Sequence, residues 1–360
     1  MKKKMTGIFE CMLLIAATVL LPTATSEINQ KSAIDFTLKS LLNPRPSYFP
    51  EDIDLKDATY HKSYGRYHVE WWYFEGIFEN GYSIVAYVTI CSKKSQGFCM
   101  LAMEVYKDAK LKINLRKVYL LKEFEASDDF PFIKVSGKQI IKFDRERYNS
   151  TGERIYNVTF QINGQSAILQ FTGTTNGWKG NILRGCYGPV LPKANVEGML
   201  ILNGKQINVS GLGYHEHAWQ IPLLIWEWGW YWGKIVSDSF TLFWGKMMNT
   251  RWNEQTRVGI LTQDQGSYIN IDPKNIKIKA TNYRYHNRRF IPTKFIINVS
   301  DKENSIYVNA TIETVYIHQL WLGTPFYWRY HLRINGNISY GTTIEEIKDK
   351  IQVLEVVRFR

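Results

Sequence analysis

The strongest constraint on the fold is a repeated pattern of short runs in which apolar and polar residues alternate, separated by tight-turn signals. One run, EWWYFEGIFENGYSIVAYVTI, breaks at Asn80-Gly81, and later runs break at Asn163-Gly164 and Asn203-Gly204. A period of two is typical of strands, and Asn-Gly between two such runs is a strong signal for a β-hairpin. The pattern continues through the second half of the chain, so the sequence predicts an all-β protein of antiparallel strands.

So many strands in 360 residues predict two β-barrels or sandwiches in tandem. We place the first at residues 59–220 and the second at residues 221–360. The boundary is set near Gln220 because QIPLLIWE is the least strand-like join. Residues 27–58 are expected to form an N-terminal helix and a linker, since the apolar residues of Ser32–Leu42 recur at helical spacing.

A short helix is predicted near the C-terminus. Thr343 and Glu346 have the spacing of a capping box. The apolar positions that follow would share one face of a helix, and they are Ile344, Ile347, Ile351 and Leu354.

Residues 1–26 have the pattern of a secretory signal peptide. Three lysines precede an apolar run over Ile8–Leu21, and small residues stand at Ala24 and Ser26, before an expected cleavage site. We therefore expect an exported protein, extracellular or in the cell envelope. An uncleaved signal that serves as a membrane anchor is the alternative.

Three cysteines follow the signal, at Cys91, Cys99 and Cys186. In an oxidising compartment Cys91 and Cys99 could form a disulfide across CSKKSQGFC. Buried thiols are the alternative, and the spacing does not decide between the two.

The net charge of +12 comes from basic residues spread along the chain without a dense run. This distribution is typical of a solvated surface, and we predict no nucleic-acid partner. A basic surface also suits an anionic envelope, so a peripheral contact with a membrane is an open alternative. The sequence predicts no cofactor and leaves the oligomeric state open.

The candidate functional segment is GLGYHEHAWQIPLLIWEWGWYWGK. Alternate residues of a strand share a face, so His215, His217 and Trp219 are predicted to point to one side. Tyr214 and Glu216 are predicted to point to the other side. The segment therefore places two histidines beside a tryptophan on a single face.

Four tryptophans in the next run also share a predicted face, and glycines opposite them leave room for something packed close. They are expected to form an apolar wall, with core packing as the alternative, and they are Trp226, Trp228, Trp230 and Trp232. An earlier segment, GRYHVEWWYFEG, repeats the theme with His68, Glu70 and Trp72 on one face.

These segments resemble the AttH-like and carotenoid 1,2-hydratase (hydroxyneurosporene synthase) family. The resemblance rests on YHVEWWYFEG, GLGYHEHAW and WEWGWYWGKI, and it spans roughly residues 60–250. It implies two lipocalin-like barrels in tandem. The motifs are more specific for that fold than for a reaction.

The family's hydratases add water to a terminal C=C bond of an acyclic carotenoid by acid catalysis. The resemblance implies that the family's catalytic His-x-Trp lies at His217 and Trp219. The family's Tyr-x-Asp pair is expected near Trp244-Gly245-Lys246, where this chain has no aspartate. The second motif also differs at three positions, which here hold Glu216, Ala218 and Gln220.

The residue types themselves permit acid–base chemistry. Burial among tryptophans would raise the pKa of a carboxyl such as Glu70 and keep it protonated as an acid. His217 would relay or accept the proton, and indole faces would stabilise a developing cation. The candidate catalytic residues are Glu70, His217, Trp219 and Tyr214. The candidate ligand-binding residues are His68, Trp72, His215, Trp226, Trp228, Trp230, Trp232 and Trp244.

The sequence favours an exported lipocalin-like protein that binds an apolar small molecule, isoprenoid or lipid-like, with or without hydratase, cyclase or isomerase chemistry. One alternative is a hydratase of the carotenoid 1,2-hydratase type. A second is a zinc site at His215 and His217, with His68 or Glu70 as a third ligand. A satisfied structural pair of Glu70 and His217 is the remaining alternative.

Overall fold

The computed structural model describes residues 48–62, 68–182, 185–222, 228–249, 253–321 and 326–358. The predicted signal peptide and N-terminal helix lie outside the described residues. Within them, no helix is long and apolar enough to cross a membrane.

Thirteen antiparallel strands form the first sheet. They are β1 (Glu51–Asp52), β2 (His68–Phe78), β3 (Tyr82–Lys93), β4 (Gln96–Lys107), β5 (Lys110–Leu120), β6 (Phe124–Ala126), β7 (Phe132–Val135), β8 (Lys138–Phe143), β9 (Ile155–Ile162), β10 (Gln165–Gly173), β11 (Trp178–Ile182), β12 (Gly185–Leu202) and β13 (Lys205–Pro222). Their order is β5-β4-β3-β2-β13-β12-β10-β9-β8-β7-β6, with β11 beside β12 and β1 beside β11.

Nine strands form the second sheet. They are β14 (Trp228–Val236), β15 (Phe240–Asn249), β16 (Glu254–Gln263), β17 (Tyr268–Asn270), β18 (Ile276–His286), β19 (Arg289–Asp301), β20 (Ile306–Trp321), β21 (Phe326–Tyr340) and β22 (Thr343–Arg358). Their order is β17-β16-β15-β14-β22-β21-β20-β19-β18. The all-β prediction is confirmed, and the chain passes from one sheet to the other between β13 and β14.

The helices of the described residues are short. The α-helix α1 spans Arg145–Thr151. Asp144 caps its N-terminus by accepting a hydrogen bond from the backbone N–H of Arg147, and Gly152, at φ 77°, ends it. The remaining helical turns are 3₁₀ turns, at Lys56–Ala58, Leu121–Glu123 and Pro273–Asn275.

The Asn-Gly signals mark hairpins as predicted. They join β2 to β3, β9 to β10 and β12 to β13. Asn163 and Gly164 have φ of 49° and 78°, and Asn203 and Gly204 have φ of 51° and 79°. Positive φ at both positions is the geometry of the two-residue turn whose twist matches the flanking strands.

The predicted C-terminal helix is wrong, because Thr343–Arg358 form β22, which pairs with β21 and β14. A bulge at Asp349, with φ 52°, places two residues of β22 opposite one of β21. Ile347 faces the core before the bulge and Leu354 faces it afterwards, while Ile344 is 74% exposed. The bulge changes which alternate residues face inward, and this produced the helix-like spacing.

Each sheet encloses its own apolar core, and a third apolar cluster lies where the outer faces of the two sheets meet. Phe74 and Phe171 contribute to the first core, and Trp244 and Phe295 to the second. The contact layer between the sheets includes Trp232. This arrangement gives β2 and β13 two buried faces, one toward the first core and one toward the second sheet.

The three cysteines among the described residues form no disulfide. Cys91 and Cys99 are free and buried, and Cys186 is free and half-buried. Burial raises the pKa of Cys91 to about 11 and that of Cys99 to about 12. Of the two alternatives from the sequence, the structure shows buried thiols.

Candidate functional site

The two motif segments lie side by side on β2 and β13. His217 is directly opposite Trp72, and His215 is directly opposite Phe74. These residues face the first core, whereas Tyr214 and Tyr73 face the second sheet. The alternation predicted from the sequence is therefore observed.

A β-bulge shapes the end of this strand pair. Between the pairs Ala218–Trp71 and Ile221–Val69, two residues of β13, Trp219 and Gln220, stand opposite the single residue Glu70. Gln220 has φ 56°, in the left-handed region. Bulges re-aim side chains and are over-represented beside active sites. Trp219 lies at this bulge on the same face as His217, and the two rings stack with centroids 4.8 Å apart.

Glu70 is the centre of a buried polar cluster. Its Oε1 lies 2.9 Å from His217 Nε2 and 3.3 Å from His61 Nδ1. Its Oε2 lies 3.7 Å from His68 Nε2. The side chains of Glu70 and His217 are fully buried, while that of His61 is 22% exposed. The cluster therefore meets solvent on the side of His61.

The surrounding carbonyls decide where the protons of this cluster lie. His217 Nδ1 is 2.7 Å from the carbonyl oxygen of Asp57, which can only accept, so Nδ1 carries the hydrogen. A neutral His217 then turns the lone pair of Nε2 toward Glu70 at 2.9 Å. Two acceptors at this distance repel unless a proton lies between them. The geometry therefore places one shared proton between Glu70 and His217.

The environment favours the neutral form of both groups. Burial raises the pKa of Glu70 well above its usual range, although the backbone N–H of His61 donates to the carboxylate. Burial, and next the nearby His61, lowers the pKa of His217 well below its usual range. Burial also lowers the pKa of His61 to about 4. Glu70 thus carries the proton and donates a hydrogen bond to Nε2 of His217.

Aromatic rings surround the pair. The ring of Trp72 stacks on that of His217 with centroids 4.7 Å apart, and its Nε1 donates to the carbonyl of Ala58. Trp219 also stacks on His61, at 4.6 Å and an interplanar angle of 8°. These indoles keep water from the proton and offer π-faces to a cation.

His215 lies deeper in the same core and apart from the cluster. It is fully buried, its Nδ1 lies 3.0 Å from the carbonyl oxygen of Tyr73, and its ring stacks on Phe74 at 4.0 Å. Burial lowers the pKa of His215 to about 3. The contacts of this histidine are those of a packed core residue.

The opposite face of β13 holds a second cluster. Glu216 Oε2 accepts from the hydroxyls of Tyr187 and Tyr214, both at 2.5 Å, and Oε1 accepts from Trp71 Nε1 at 3.0 Å. Burial, and next Glu355, raises the pKa of Glu216 to about 7. Tyr214, a candidate catalytic residue, therefore belongs to the contact between the sheets and not to the Glu70 cluster.

A small cavity between the sheets is lined by Tyr214 and Glu216 from this cluster and by Trp232 and Phe243 from the second sheet. Its volume is about 20 Å³, which is room for about one water molecule. A larger ligand would fit there only if the sheets moved apart.

The candidate ligand-binding tryptophans of the second sheet lie in two environments. Trp230 and Trp232 face the first sheet, whereas Trp244 is fully buried in the second core. Gly233 allows the close packing that was predicted opposite the tryptophans, because the ring of Trp244 lies 2.9 Å from where a Cβ would be. Trp226 is outside the described residues, and only the backbone of Trp228 is described. The first sheet separates this aromatic layer from Glu70 and His217.

No pattern in the sequence pointed to His61. It lies in the loop before β2 and has no periodic context, so only the folded chain shows its contact with Glu70. His61, Glu70 and His217 each offer a donor atom, and these atoms lie within 4.8 Å of one another. They could hold a metal ion, in a different combination from the predicted pair of His215 and His217.

Sequence comparison finds no relatives, since no protein-family model and no curated protein matches the chain. Structure comparison does find proteins of similar fold. The crystal structure of a candidate AttH protein from Nitrosomonas europaea superposes with a TM-score of 0.58 at 12% identity, over 82% of this chain and 93% of that chain. The chain has the AttH-like fold.

A second solved structure supports the AttH-like fold. Kievitone hydratase from Nectria haematococca superposes with a TM-score of 0.56 at 10% identity, over 85% of this chain and 93% of that one. The expected pair of lipocalin-like barrels is therefore confirmed. At these identities the likeness is one of fold, so the reaction has to be argued from the site.

Proposed function

We propose that the protein is an acid–base enzyme of the hydro-lyase or cyclase type that acts on an apolar small molecule with a C=C bond. The observation that carries the proposal is the 2.9 Å contact between Glu70 Oε1 and His217 Nε2, in a buried aromatic site that meets solvent at His61. A carboxyl kept neutral by burial is an effective general acid near neutral pH.

The chemistry follows from the positions of the protons. Glu70 transfers its proton to the alkene, which leaves a carbocation on the substrate and a carboxylate on the enzyme. Cation–π attraction from the faces of Trp72 and Trp219 stabilises the cation, by about 2 kcal/mol when water is excluded. The Nε2 lone pair of neutral His217 then faces the new carboxylate at 2.9 Å, and the repulsion between these two acceptors favours the return of a proton to the pair.

The fate of the cation sets the reaction type. When water attacks, its proton returns to Glu70, directly or through His217, and the net reaction is the addition of H₂O. When a second C=C bond of the substrate attacks and a proton is then lost to Glu70, the net reaction is a cyclisation. Both outcomes use the same acid, and they differ only in whether water is admitted beside His61.

The likeness to kievitone hydratase agrees with this class of reaction. The apolar nature of the substrate, an isoprenoid or lipid-like molecule, is inferred from the tryptophans of the site. Export remains part of the proposal and rests on the signal-like residues 1–26. An exported enzyme would take its substrate from outside the cytoplasm or from the envelope.

The test is to incubate the purified protein with acyclic isoprenoid alkenes in D₂O and follow the products by mass spectrometry. Deuterium on carbon shows proton transfer to the alkene, and an added water or an isomeric ring shows the second step. Glu70→Gln and His217→Ala should each lower the rate by about 10²-fold to 10⁴-fold. His215→Phe, on the same face of β13, is the matched control and should keep most of the rate.

Two results would contradict the proposal. One is turnover that survives Glu70→Gln, and the other is loss of folding in His217→Ala, judged by circular dichroism, which would make the pair structural. A protein that binds isoprenoids tightly in native mass spectrometry without turnover would be a carrier.

A zinc site is the second candidate function, because three donor atoms converge at His61, Glu70 and His217. The carbonyl that accepts from Nδ1 of His217 is the kind of partner that orients a metal-binding histidine. Native mass spectrometry after addition of zinc distinguishes the candidates. One bound zinc that is lost in His61→Ala and retained in His215→Phe would favour the metal.

A further inference from the structure

The β18–β19 hairpin carries an exposed aromatic cluster. Tyr283, Tyr285 and Phe290 expose 53%, 64% and 60% of their surface. The rings of Tyr285 and Phe290 lie edge to face, with centroids 5.3 Å apart. Single exposed apolar side chains are ordinary, but three rings at one hairpin tip indicate contact with something outside the chain.

The same hairpin is strongly basic. Residues 273–300 contain seven lysines and arginines and no aspartate or glutamate. Two of these lysines form ion pairs, Lys274 with Asp272 and Lys294 with Glu313. Within the described residues no ion pair is formed by the exposed members of the set, Lys277, Lys279, Arg284 and Arg288. The aromatic tip is therefore surrounded by positive charge that the described chain does not neutralise.

The hairpin is held in place by the sheet beneath it. Asn287 and Arg288 form its turn with φ of 46° and 68°, and His286 pairs with Arg289 across it. Trp328, which is fully buried, donates from Nε1 to His286 Nδ1 at 3.0 Å. The turn and this hydrogen bond fix the position of the exposed rings.

Protection of a sheet edge explains only part of this surface. β18 is the last strand of its sheet, and lysines on an edge strand prevent pairing with other chains. That role accounts for Lys277 and Lys279. It does not account for three exposed aromatic rings, which would promote association instead of preventing it.

We propose that the β18–β19 hairpin docks the protein on an anionic lipid bilayer. Charge complementarity favours this partner, because phosphates of the headgroups would face Arg284 and Arg288 while the rings of Tyr283, Tyr285 and Phe290 enter the interface. Aromatic rings concentrate at the level of the headgroups, and basic residues beside them bind anionic lipid. Docking would deliver an apolar substrate from the bilayer, which links this surface to the proposed function without depending on it.

The test is sedimentation of the full protein with vesicles of phosphatidylcholine alone or mixed with an equal amount of phosphatidylglycerol. We expect binding to the mixed vesicles only, weakening as salt is added. The double variant Arg284→Gln/Arg288→Gln should bind roughly 30-fold more weakly, from about 1 kcal/mol for each charge. The triple variant Tyr283→Ser/Tyr285→Ser/Phe290→Ser should lose roughly tenfold or more.

Matched controls come from elsewhere on the surface. Tyr307→Ser removes an exposed ring on β20, and Lys110→Gln/Lys112→Gln removes two exposed charges on β5. Both should bind like the unaltered protein, and all variants should keep its unfolding midpoint, because every altered side chain is exposed. Equal loss in the controls would overturn the proposal.

Two other outcomes also overturn it. One is binding to duplex DNA that depends on the arginines but not on the rings, which would identify a nucleic-acid surface. The other is a dimer without vesicles that the triple variant abolishes, which would identify a second copy of the chain as the partner. Binding that survives in both hairpin variants would show that another surface meets the lipid.

Discussion

At the scale of single residues, the decisive property of the site is a carboxyl whose pKa is raised by burial more than the backbone N–H of His61 lowers it. Glu70 is fully buried, and its nearest side-chain partner, His217, is committed by the carbonyl of Asp57 to present a lone pair. A proton between the two removes the repulsion and leaves the pair neutral. The protonated form of Glu70 is therefore favoured by burial and by the backbone hydrogen bond that orients His217.

The first prediction concerns the pH dependence of stability. Folding raises the pKa of Glu70, so above about pH 4.5 the folded protein binds more protons than the unfolded one. The free energy of unfolding therefore falls as the pH rises. For this one group the fall is up to about 1.4 kcal/mol per pH unit. Glu70→Gln, which imitates the protonated form, should lack that slope. Urea unfolding of both proteins from pH 5 to pH 8 measures it, and equal slopes would show that Glu70 is ionised.

The second prediction concerns backbone strain beside the site. Gln220 is exposed with φ 56°, where a residue with a Cβ costs about 1–2 kcal/mol, and the resembled family has glycine there. Gln220→Gly should raise stability by up to about 1 kcal/mol after the entropy of glycine is subtracted. Gln206→Gly, in a regular part of β13, is the control and should lower stability. Thermal unfolding compares them, and destabilisation by Gln220→Gly would be the contrary result.

At the scale of secondary-structure elements, bulges decide which residues reach a core. The bulge at Trp219 and Gln220 turns Ile221 toward the contact between the sheets, and the bulge at Asp349 turns Leu354 inward on β22. In both strands the extra residue of the bulge shifts the alternation, so that the residues after it point to the opposite face from the one that a period of two predicts. Elements with bulges therefore place side chains that regular alternation would put on the other side.

The third prediction tests the close contact of β14 and β15. A Cβ on Gly245 would lie 2.5 Å from the ring of Trp232, which is packed between the sheets. Gly245→Ala should therefore destabilise the protein by about 1–3 kcal/mol. Gly259→Ala on β16 meets only isoleucine side chains, the nearest at 3.1 Å, and is the control. Denaturant unfolding measures both, and a neutral Gly245→Ala would show that Trp232 is free to move.

At the scale of the whole molecule, buried charges join the two sheets. Glu104 on β4 is fully buried and pairs with Arg329 on β21, which also donates to Glu355 at 3.0 Å. Burial alone would raise the pKa of Glu104, but Arg329 and then Arg116 outweigh it and hold that pKa below its usual value. Lys234 and Glu75 form a second such pair at 2.6 Å. These pairs fix how the sheets face each other.

The fourth prediction tests this join. Arg329→Met leaves the carboxylate of Glu104 with the partly exposed Arg116 and the hydroxyl of Tyr106, and it should cost about 3–5 kcal/mol of stability. The double variant Glu104→Gln/Arg329→Met should recover a large part, because no unpaired charge stays buried. Urea unfolding of the two variants decides this, and a cost below about 1 kcal/mol for Arg329→Met would mean that water reaches Glu104.

Local periodicity in the sequence determined much of this protein. The Asn-Gly turns, the alternation along β2 and β13, and hence the shared face of His217 and Trp219 follow from neighbouring residues, whose backbone geometry depends on few distant contacts. The motif residues that resemble the hydratase family predicted the fold that comparison confirmed.

Only the tertiary structure decided which residues meet. His61 joins Glu70 through the approach of a loop, and Glu70 meets His217 across 147 positions of sequence. The sequence of Thr343–Arg358 predicts a helix because it has the spacing of a capping box and because the bulge spaces its apolar residues as a helix would. The segment is nevertheless a strand, since it pairs with both β21 and β14, and this pairing outweighs the local preference. Periodicity gives the face of a side chain within its own strand, and the packing of the sheets gives what that face touches.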